Sequence, residues 1–388
     1  MHICIITSHY PSENDPTFAF VESLVFGMVD SGNDCTVIAP QSLLSAIKNK
    51  RIIRKKVEIR KTKCGNKYMV YSPRVISLSK IPILNSVIME FIDKIFYNKV
   101  KQVIESLENK PTVLYGHFID PAGMVASKLG GIYNIPSFVA VGESNLNTTI
   151  EKISTNKGKN NLNALSGVIT VSTQLKNELQ SLNIFQNIPI IVAPNAIDNS
   201  LFYPRKENER NKKRKELGIS DDEFAVAFVG YFNERKGPHR VLEAIKGLGK
   251  VKGIFLGSGP IIPVGEQVAF CGTIDHQKLP EYLCAADIFV LPTLAEGCNN
   301  AIIEAMACGL PIVSSNMAFN DDIIGEDNSL RINPQNIDEI TQAVRLLKND
   351  KILLNKLAAG AVMRAQKLDI ESRAKYILQF MKERSQVL

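Results

Sequence analysis

Glu296 and Glu304 are the residues of this sequence whose types and spacing point most directly to chemistry. A helix predicted to begin near Asn299 places its free backbone N–H groups and the positive end of its dipole beside Glu296. Such a helix end suits an anion, most often a phosphate. Glu304 lies one to two turns further along, at roughly 1.5 Å per residue. Two carboxylates that flank a phosphate site could hold hydroxyls on either side of a diphosphate, one set on a sugar and one on a ribose.

Both carboxylates fall in a predicted strand, loop, helix, strand unit. An apolar strand at 287–291 stops at Pro292, good helix formers run over 301–307, and a Gly-Leu-Pro turn precedes a second strand. In the alternative interpretation, Glu296 is a first-turn charge and Glu304 lies on a solvated helix face. The setting Ala-Ile-Ile-Glu-Ala-Met-Ala weakens that alternative, because a surface helix would show more polar residues.

The string over 296–311 reads Glu-Gly-Cys-Asn-Asn-Ala-Ile-Ile-Glu-Ala-Met-Ala-Cys-Gly-Leu-Pro. It closely resembles the donor-site signature of retaining glycosyltransferases of family 4. The resemblance implies an α/β fold of the GT-B type, in which two Rossmann-like domains face each other across a cleft. It implies a catalytic Glu296 that holds sugar hydroxyls, a Glu304 that holds the ribose, and donor-binding roles for Gly297, Cys298, Asn299 and Asn300.

The length of 388 residues is natural for two domains. We predict an N-terminal acceptor-side domain over 1–200, onto which a C-terminal helix at 370–388 packs back. The remaining part, 201–369, is predicted to be the nucleotide-sugar-binding domain.

Arg235 and Lys236 are adjacent cations in a loop that follows a predicted strand. Such side chains can pair with phosphate oxygens, although alone an Arg-Lys pair is usually a surface feature. Gly230 and the Lys236-Gly237 pair resemble the family's Gly-Arg-x-x-x-x-Lys-Gly element, whose Arg and Lys hold the donor diphosphate. Tyr231 occupies the usual Arg position, and Arg235 could supply the missing charge.

Three further residues join the predicted donor site through the resemblance. Family members use backbone groups and an apolar side chain after a strand to hold the nucleotide base. In this sequence that place is occupied by Gly272, Thr273 and Ile274.

The N-terminal part opens with a strand, a polar loop with two prolines, a helix over 18–30 and a second strand, which favours a parallel Rossmann-like sheet. It lacks a Gly-x-Gly-x-x-Gly turn, which lowers the odds of a dinucleotide. Family members commonly carry a glycine shortly before this helix, whereas Thr17-Phe18-Ala19-Phe20 has none.

His117 follows another predicted strand, over 112–115. A lone histidine there is more often structural than catalytic. The resemblance makes His117 a catalytic candidate, because family members often place a His, then Pro and Gly, at this strand end. Many members also have His-Gly-Ser-Asp after the next strand, where this sequence has Gly142 and Glu143. Whether Glu143 or Asn145 substitutes for that histidine on the acceptor side stays open.

The seven cysteines are scattered without a Cys-x-x-Cys pair or a nearby His cluster, which argues for reduced thiols and against structural zinc. The N-terminus lacks a basic leader, and no apolar run reaches the roughly 18 residues of a membrane span. We therefore expect a cytoplasmic protein that is soluble or lies at the inner face of the cell membrane.

A basic tract runs from Lys48 to Lys67, with ten basic residues against the single acid Glu58. It has three interpretations: a solvated, partly extended surface, a face attracted to an anionic membrane, or a nucleic-acid site. Neither aromatic interleaving nor a recognition motif supports the third, so no nucleic acid is expected as a partner.

The resemblance implies a hexosyltransferase that moves a sugar from a nucleotide-diphosphate donor, UDP-linked by preference. We expect it to need neither a metal nor a cofactor. The acceptor is expected to be a glycan or lipid-linked glycan in cell-surface polysaccharide biosynthesis. No Asp-x-Asp occurs in the sequence, which fits basic residues in place of Mg²⁺. A front-face path and a double displacement stay open. The alternatives are a catalytically weak sugar-nucleotide-binding module and a sugar-nucleotide epimerase.

Overall fold

The computed structural model describes residues 1–12, 15, 18–43, 46, 53–75, 86–143, 146, 149, 151 and 162–386. They form two compact units. The first comprises Met1–Ala193 together with Ile370–Leu388, and the second comprises Pro194–Asp369. The division after Ala193 falls slightly earlier in the chain than the predicted one after residue 200.

The first unit is built around a largely parallel sheet. The described strands of this unit are β1 (His2–Ile6), β2 (Asp34–Ile38), β3 (Gln41–Ser42), β4 (Val57–Lys61), β5 (Lys67–Tyr71), β6 (Arg74–Val75), β7 (Val113–His117), β8 (Ser137–Val141), β9 (Gly167–Thr170) and β10 (Ile190–Val192). Its helices are α1 (Ala19–Asp30), α2 (Ser86–Ser106), α3 (Met124–Tyr133), α4 (Thr173–Gln180) and the C-terminal helix Ile370–Ser385.

Within the described residues, eight of these strands form one sheet in the order β10-β9-β8-β7-β1-β2-β5-β4. All neighbours in it are parallel except β4 and β5. The first strand has β2 on one side and β7 on the other. Chain order therefore reverses between β1 and β7, and loops leaving such neighbouring strands diverge to leave a crevice.

The C-terminal helix packs against α1 in the first unit. A Cβ built on Gly27 of α1 would lie 2.7 Å from the Cβ of Ala374, so the two helix backbones approach closely at this glycine. Ala374, Ile377 and Met381 are buried in the same core cluster as residues of β1 and α1. The segment after residue 369 thus contributes to the core of the first unit.

The basic tract contributes an antiparallel β4–β5 hairpin at one end of this sheet. Two of its arginines are used internally. Arg54 is only 7% exposed and donates to the backbone carbonyls of Tyr10 and Ala39, and Arg60 pairs with Glu22 and Glu58. The lysines at 55, 56, 61, 63 and 67 are exposed, whereas residues 48–52 of the tract lie outside the described residues. The solvated-surface interpretation is therefore wrong for Arg54.

The second unit contains six described strands with helices between most of them. Its strands are β11 (Phe224–Val229), β12 (Val251–Leu256), β13 (Val268–Gly272), β14 (Ile288–Leu291), β15 (Ile312–Ser315) and β16 (Ser329–Ile332). Its helices are α5 (Glu207–Glu216), α6 (Pro238–Lys246), α7 (Leu279–Leu283), α8 (Asn300–Ala307), α9 (Ile337–Asn349) and α10 (Lys351–Gln366).

These strands form a parallel sheet in the order β13-β12-β11-β14-β15-β16. Its inner strands β11 and β14 are continuous apolar runs that are almost entirely buried, as expected of a parallel sheet covered on both faces. The predicted α/β class with two Rossmann-like units is confirmed. Among the described residues, no helix has the length and apolar character needed to cross a membrane.

Candidate active site

The candidate site of the second unit lies where its strand order reverses. After β11 the chain continues to β12 on one side, and it later returns to β14 on the other side of β11. The loops that leave β11 and β14 therefore bound the crevice in which parallel α/β sheets bind ligands. The first loop carries Arg235 and Lys236, and the second carries Glu296.

The structure brings these three predicted catalytic side chains into direct contact. Lys236 Nζ and Arg235 Nη1 each lie 2.6 Å from Glu296 Oε1, and Thr293 Oγ1 donates to the same oxygen at 3.0 Å. The side chains of Lys236 and Glu296 are only 12% and 11% exposed. All of these contacts use Oε1, so Oε2 has no protein partner among the described residues.

Burial shapes the charge of this cluster. It lowers the pKa of Lys236, as does the neighbouring Arg235, while the ion pair with Glu296 acts in the opposite direction. The lysine is thus a desolvated cation with one anionic partner. A cation in this state gains from a second anion that enters the site.

Local sequence explains why the first loop presents its cations. Asn233 Oδ1 accepts from the backbone N–H of Lys236 at 3.0 Å and stabilises the turn. Gly237 follows with φ 72°, a left-handed conformation that favours glycine, and a Cβ there would lie 2.3 Å from the guanidinium of Arg240. Arg240 in turn donates to the carbonyl of Pro292, which ties this loop to the one after β14.

The N-terminus of α8 is capped by Asn299, whose Oδ1 accepts from the backbone N–H of Ala301 at 3.1 Å. Asn299 is buried, and its Nδ2 has no hydrogen-bond partner among the described residues. Nearby, Asn195 Nδ2 donates to Asn300 Oδ1 at 2.8 Å. A buried N–H donor without a partner is costly, which points to a ligand acceptor at this helix end.

Gly297 and Cys298 complete the loop between Glu296 and the cap of α8. Gly297 is buried and Cys298 is partly buried, and the carbonyl of Cys298 lies 3.5 Å from Asn195 Nδ2. The structure thus places the predicted residues from Glu296 to Asn300 in one continuous loop and helix end.

Glu304 lies in the second turn of α8, and its side chain is 11% exposed. His276 Nε2 is 2.8 Å from its Oε1. This contact joins α8 to the loop that follows Gly272 at the end of β13 and holds the predicted Thr273 and Ile274. Glu304 Oε2 has no protein partner among the described residues. The alternative of a solvated Glu304 on a surface helix is wrong, since the residue is buried.

The remaining predicted donor residues lie at strand ends of the same sheet. Gly230 directly follows β11, and a Cβ there would touch the side chain of Lys236 at 3.5 Å. Gly272 ends β13, Thr273 is exposed, and Ile274 is partly buried against the core. Tyr231, at the position where the family that the sequence resembles has an arginine, is 56% exposed.

His117 lies at the reversal point of the first unit, as the last residue of β7. Burial lowers its pKa to about 3, and Arg373 contributes in the same direction, so the imidazole is neutral near pH 7. The hydroxyl of Tyr115 lies 3.3 Å from its Nδ1. Its Nε2 has no hydrogen-bond partner among the described residues. The rings of Phe18, Phe20 and Phe118 pack around it.

Two of these phenylalanines have a positive φ. Phe18 has φ 67° and Phe118 has φ 69°, and their rings meet edge to face with centroids 5.4 Å apart. Phe18 immediately precedes α1, where members of the family that the sequence resembles commonly carry a glycine. The conformation that glycine favours is therefore present here without a glycine.

Glu143 follows β8, and both of its carboxylate oxygens are bound. Oε1 accepts from the backbone N–H of Ile119 at 3.0 Å, and Oε2 accepts from that of Gly142 at 2.9 Å. Burial raises the pKa of this carboxyl, against the effect of these hydrogen bonds. Asn145 lies outside the described residues. The acceptor-side roles of Glu143 and Asn145 remain predictions.

Comparison with known proteins bears on this geometry. Residues 223–350, which include both loops and α8, match the family described as Glycosyl transferases group 1. TuaC of Bacillus subtilis (strain 168), named as a glycosyltransferase of teichuronic acid biosynthesis, is 27% identical over 365 residues, which cover 91% of this chain and 90% of TuaC.

Two solved structures share the fold over almost the whole chain. Sucrose-phosphate synthase from Thermosynechococcus elongatus has a TM-score of 0.74 at 18% identity and covers 98% of each chain. HepE of Anabaena, solved in complex with UDP, has a TM-score of 0.72 at 16% identity and covers 99% of this chain and 100% of its own.

The chain has the GT-B fold. The family match and the structural likeness together support a glycosyltransferase of the GT-B type, related to enzymes of polysaccharide biosynthesis.

Sequence reasoning about this glycosyltransferase missed three side chains that the structure connects to the predicted site. Thr293 donates to Glu296, Asn195 donates to Asn300, and His276 contacts Glu304. Thr293 precedes Glu296 by three residues, a spacing that could have signalled a local contact. Asn195 and His276 reach α8 from distant parts of the chain, so only the fold reveals them.

Proposed function

We propose that the protein transfers a sugar, with retention of anomeric configuration, from a UDP-sugar donor to a glycan or lipid-linked glycan acceptor in cell-surface polysaccharide assembly. One observation carries this proposal: Lys236 and Arg235 meet Glu296 beside the N-terminus of α8, at the strand reversal of the second unit. The HepE complex with UDP supports the choice of base, and the name of TuaC supports the type of product.

In this proposal the donor diphosphate lies against the N-terminus of α8. Its leaving oxygen gains negative charge as the glycosidic bond breaks. Lys236, Arg235, the first N–H groups of α8 and the unpaired Asn299 Nδ2 would stabilise that charge. Such preorganised electrostatic stabilisation is usually the largest single catalytic contribution.

The two carboxylates have related roles. Each has one oxygen held by protein donors and a second oxygen without a protein partner among the described residues. Glu296 Oε2 would accept from sugar hydroxyls, and Glu304 Oε2 would accept from the ribose. Orienting one oxygen through the protein leaves the other aimed for a substrate hydroxyl.

We favour a front-face path for retention. A double displacement needs a carboxylate nucleophile that forms a covalent glycosyl-enzyme. Glu296 is bound by two cations, which makes it a weak nucleophile. Intact-mass measurement with a UDP-2-fluoro sugar should show no glycosylated protein, and an adduct on Glu296 would contradict this path.

Charge neutralisation by Arg235 and Lys236 also leads us to propose transfer without a divalent metal. Rates with and without an excess of EDTA should agree within about twofold. A rate that collapses in EDTA and returns with Mg²⁺ would contradict the proposal.

A donor panel tests the function itself. UDP-, GDP- and ADP-sugars are first ranked by the thermal shift they cause, and the best donor is then assayed for hydrolysis and transfer. Turnover that disappears in Glu296→Ala excludes an inert binding module, and free UDP without an epimerised sugar excludes an epimerase. Donor binding without any turnover would instead favour the module.

We also propose that the first unit meets an anionic membrane through the β4–β5 hairpin. Val57 and Ile59 are exposed on the outer face of β4, and exposed lysines flank them, including Lys55 and Lys56. Apolar and basic side chains together suit an anionic lipid surface.

Charge reversal tests the membrane surface. Lys55→Glu with Lys56→Glu should weaken binding to phosphatidylserine vesicles by at least roughly thirtyfold at low salt, because each lost lysine attraction contributes about 1 kcal/mol and the new carboxylates are repelled. The matched control reverses the exposed Lys246 and Lys250 of the second unit. If the Lys55/Lys56 variant and the Lys246/Lys250 control bound vesicles equally, the β4–β5 hairpin would be excluded as the membrane-binding surface. Arg54 is unsuitable for the test because it is buried.

A further inference from the structure

His276 is a histidine to which neither the family motif nor the catalytic proposal assigns a role. It begins a short turn after β13, and its side chain is 43% exposed. Its Nε2 lies 2.8 Å from Glu304 Oε1. A solvent-reachable histidine thus touches a nearly buried carboxylate of the candidate donor site.

Two neighbours hold the histidine in this place. Asp275 caps the turn, because its side chain accepts from the backbone N–H of Gln277 at 3.0 Å. The ring of the buried Phe202 packs against the imidazole at an angle, with centroids 5.4 Å apart. The backbone and the ring of His276 are therefore both restrained, and its Nε2 reaches Glu304 from a fixed direction.

We propose that His276 is a positioning residue, which donates from Nε2 to Glu304 Oε1 and thereby directs Oε2 to the ribose hydroxyls of the nucleotide. This inference rests on the proposed function, since it requires a nucleotide at α8. A glutamate side chain turns about several bonds, and a fixed donor on one oxygen removes that freedom before the ligand arrives.

The charge of His276 supports this role. Its hydrogen bond with Glu304 raises its pKa, burial opposes this, and the negative charges of Glu304 and Asp275 add to the increase. The imidazolium is thus favoured to a higher pH than in a free histidine. Its charge-assisted hydrogen bond to Glu304 is strongest at low pH and weakens as pH increases through the pKa.

The test compares UDP with 2′,3′-dideoxy-UDP by calorimetric titration. In the wild type, UDP should bind on the order of tenfold tighter or more, because a hydroxyl bound to a carboxylate is lost in the analogue. His276→Ala should reduce this ratio roughly fivefold, with little effect on dideoxy-UDP. His276→Gln should restore much of the ratio, since its amide can donate from a similar place.

Two controls separate positioning from folding. His239→Ala removes a histidine of similar exposure that lies beside Glu234, and it should leave the ratio unchanged. From pH 6 to pH 9 the wild-type ratio should fall a few-fold, whereas the ratio of His276→Gln should stay flat. A role limited to stability would lower the thermal midpoint without changing the ratio.

The outcomes distinguish the inference from the function on which it rests. A ratio that is unchanged or increased in His276→Ala, together with a ratio lost in Glu304→Gln, overturns the role of His276 and leaves the nucleotide site intact. Failure of the wild type to bind UDP overturns both.

Discussion

Each unit has a glutamate in the loop after one of its strands, Glu143 after β8 and Glu296 after β14. The two carboxylates differ in their hydrogen-bond partners. Glu143 in the first unit has both oxygens bound by backbone N–H groups. Glu296 in the second unit has one oxygen bound by Lys236, Arg235 and Thr293, and the other has no protein partner among the described residues. The first arrangement stabilises a loop, and the second is prepared for a ligand.

The surroundings of the two reversal points differ in the same way. In the first unit, His117 is uncharged near pH 7 and packs among phenylalanine rings. The site in the second unit is polar and charged, beside a helix N-terminus with an unpaired amide. The loops at a strand reversal therefore decide its chemistry. They form a charged site suited to an anion in the second unit, and an aromatic setting around a neutral histidine in the first.

The largest effect should come from Lys236→Met, which removes the buried cation of the second unit. Loss of one preorganised charge at a developing anion costs about 10² to 10³ in kcat. Steady-state transfer or donor hydrolysis measures it, with Lys246→Met on the exposed face of α6 as the control. A variant that retains more than a tenth of wild-type kcat would remove Lys236 from the catalytic group.

Glu143→Ala should act on stability instead. It leaves the N–H groups of Ile119 and Gly142 without their acceptors, which costs about 1 to 3 kcal/mol. Hydrogen exchange of the peptides that contain β7 and β8 should increase, while UDP affinity stays unchanged. If exchange were normal and transfer were lost, Glu143 would have a direct acceptor-side role and the contrast with Glu296 would break down.

His117 should make the first unit sensitive to acid. Its pKa is about 3 when folded and 6.5 in the reference state, so below pH 6.5 the unfolded chain binds a proton that the folded chain does not. Stability should therefore fall as pH decreases, by up to roughly 1.4 kcal/mol per pH unit. Denaturant unfolding of wild type and His117→Gln at pH 7.5 and 5 checks this, and parallel losses in both proteins would contradict it.

Phe18→Gly should produce the smallest change, a slight increase in the stability of the first unit. Relief of a left-handed backbone at a non-glycine residue gains on the order of 1 kcal/mol, partly offset by lost ring packing. Asn134→Gly, at the left-handed C-cap of α3, is the matched control. A thermal midpoint for Phe18→Gly well below that of the control would show that the ring matters more for stability than the backbone does.

The sequence predicted the second unit more completely than the first. The strand at Phe224–Val229 and the donor string at 296–311 are locally encoded, because apolar runs, a helix cap and adjacent cations all occur within short spans. The resemblance assigned Arg235 and Glu296 to the same donor site but did not predict their contact. That contact depends on the fold, which brings the loops after β11 and β14 together.

Other features could not be predicted because they depend on distant parts of the chain. The charge pattern alone suggested that Arg54 is solvated. It is instead buried, because its guanidinium donates to the backbone carbonyls of Tyr10 and Ala39, which are distant in the sequence. The left-handed conformation of Phe18 is unfavourable for a residue with a Cβ atom, so the sequence does not predict it. The contact of His276 with Glu304 requires the loop after β13 to pack against α8.

The most direct test of the central claim is a calorimetric titration of UDP and UMP into the wild type and Lys236→Met. The two nucleotides differ by the β-phosphate, which we place against Lys236, Arg235 and the N-terminus of α8. The wild type should bind UDP at least about tenfold tighter than UMP, and Lys236→Met should lose most of that preference, as expected for a charge-assisted contact. A preference for UDP that persists undiminished in Lys236→Met would contradict the account.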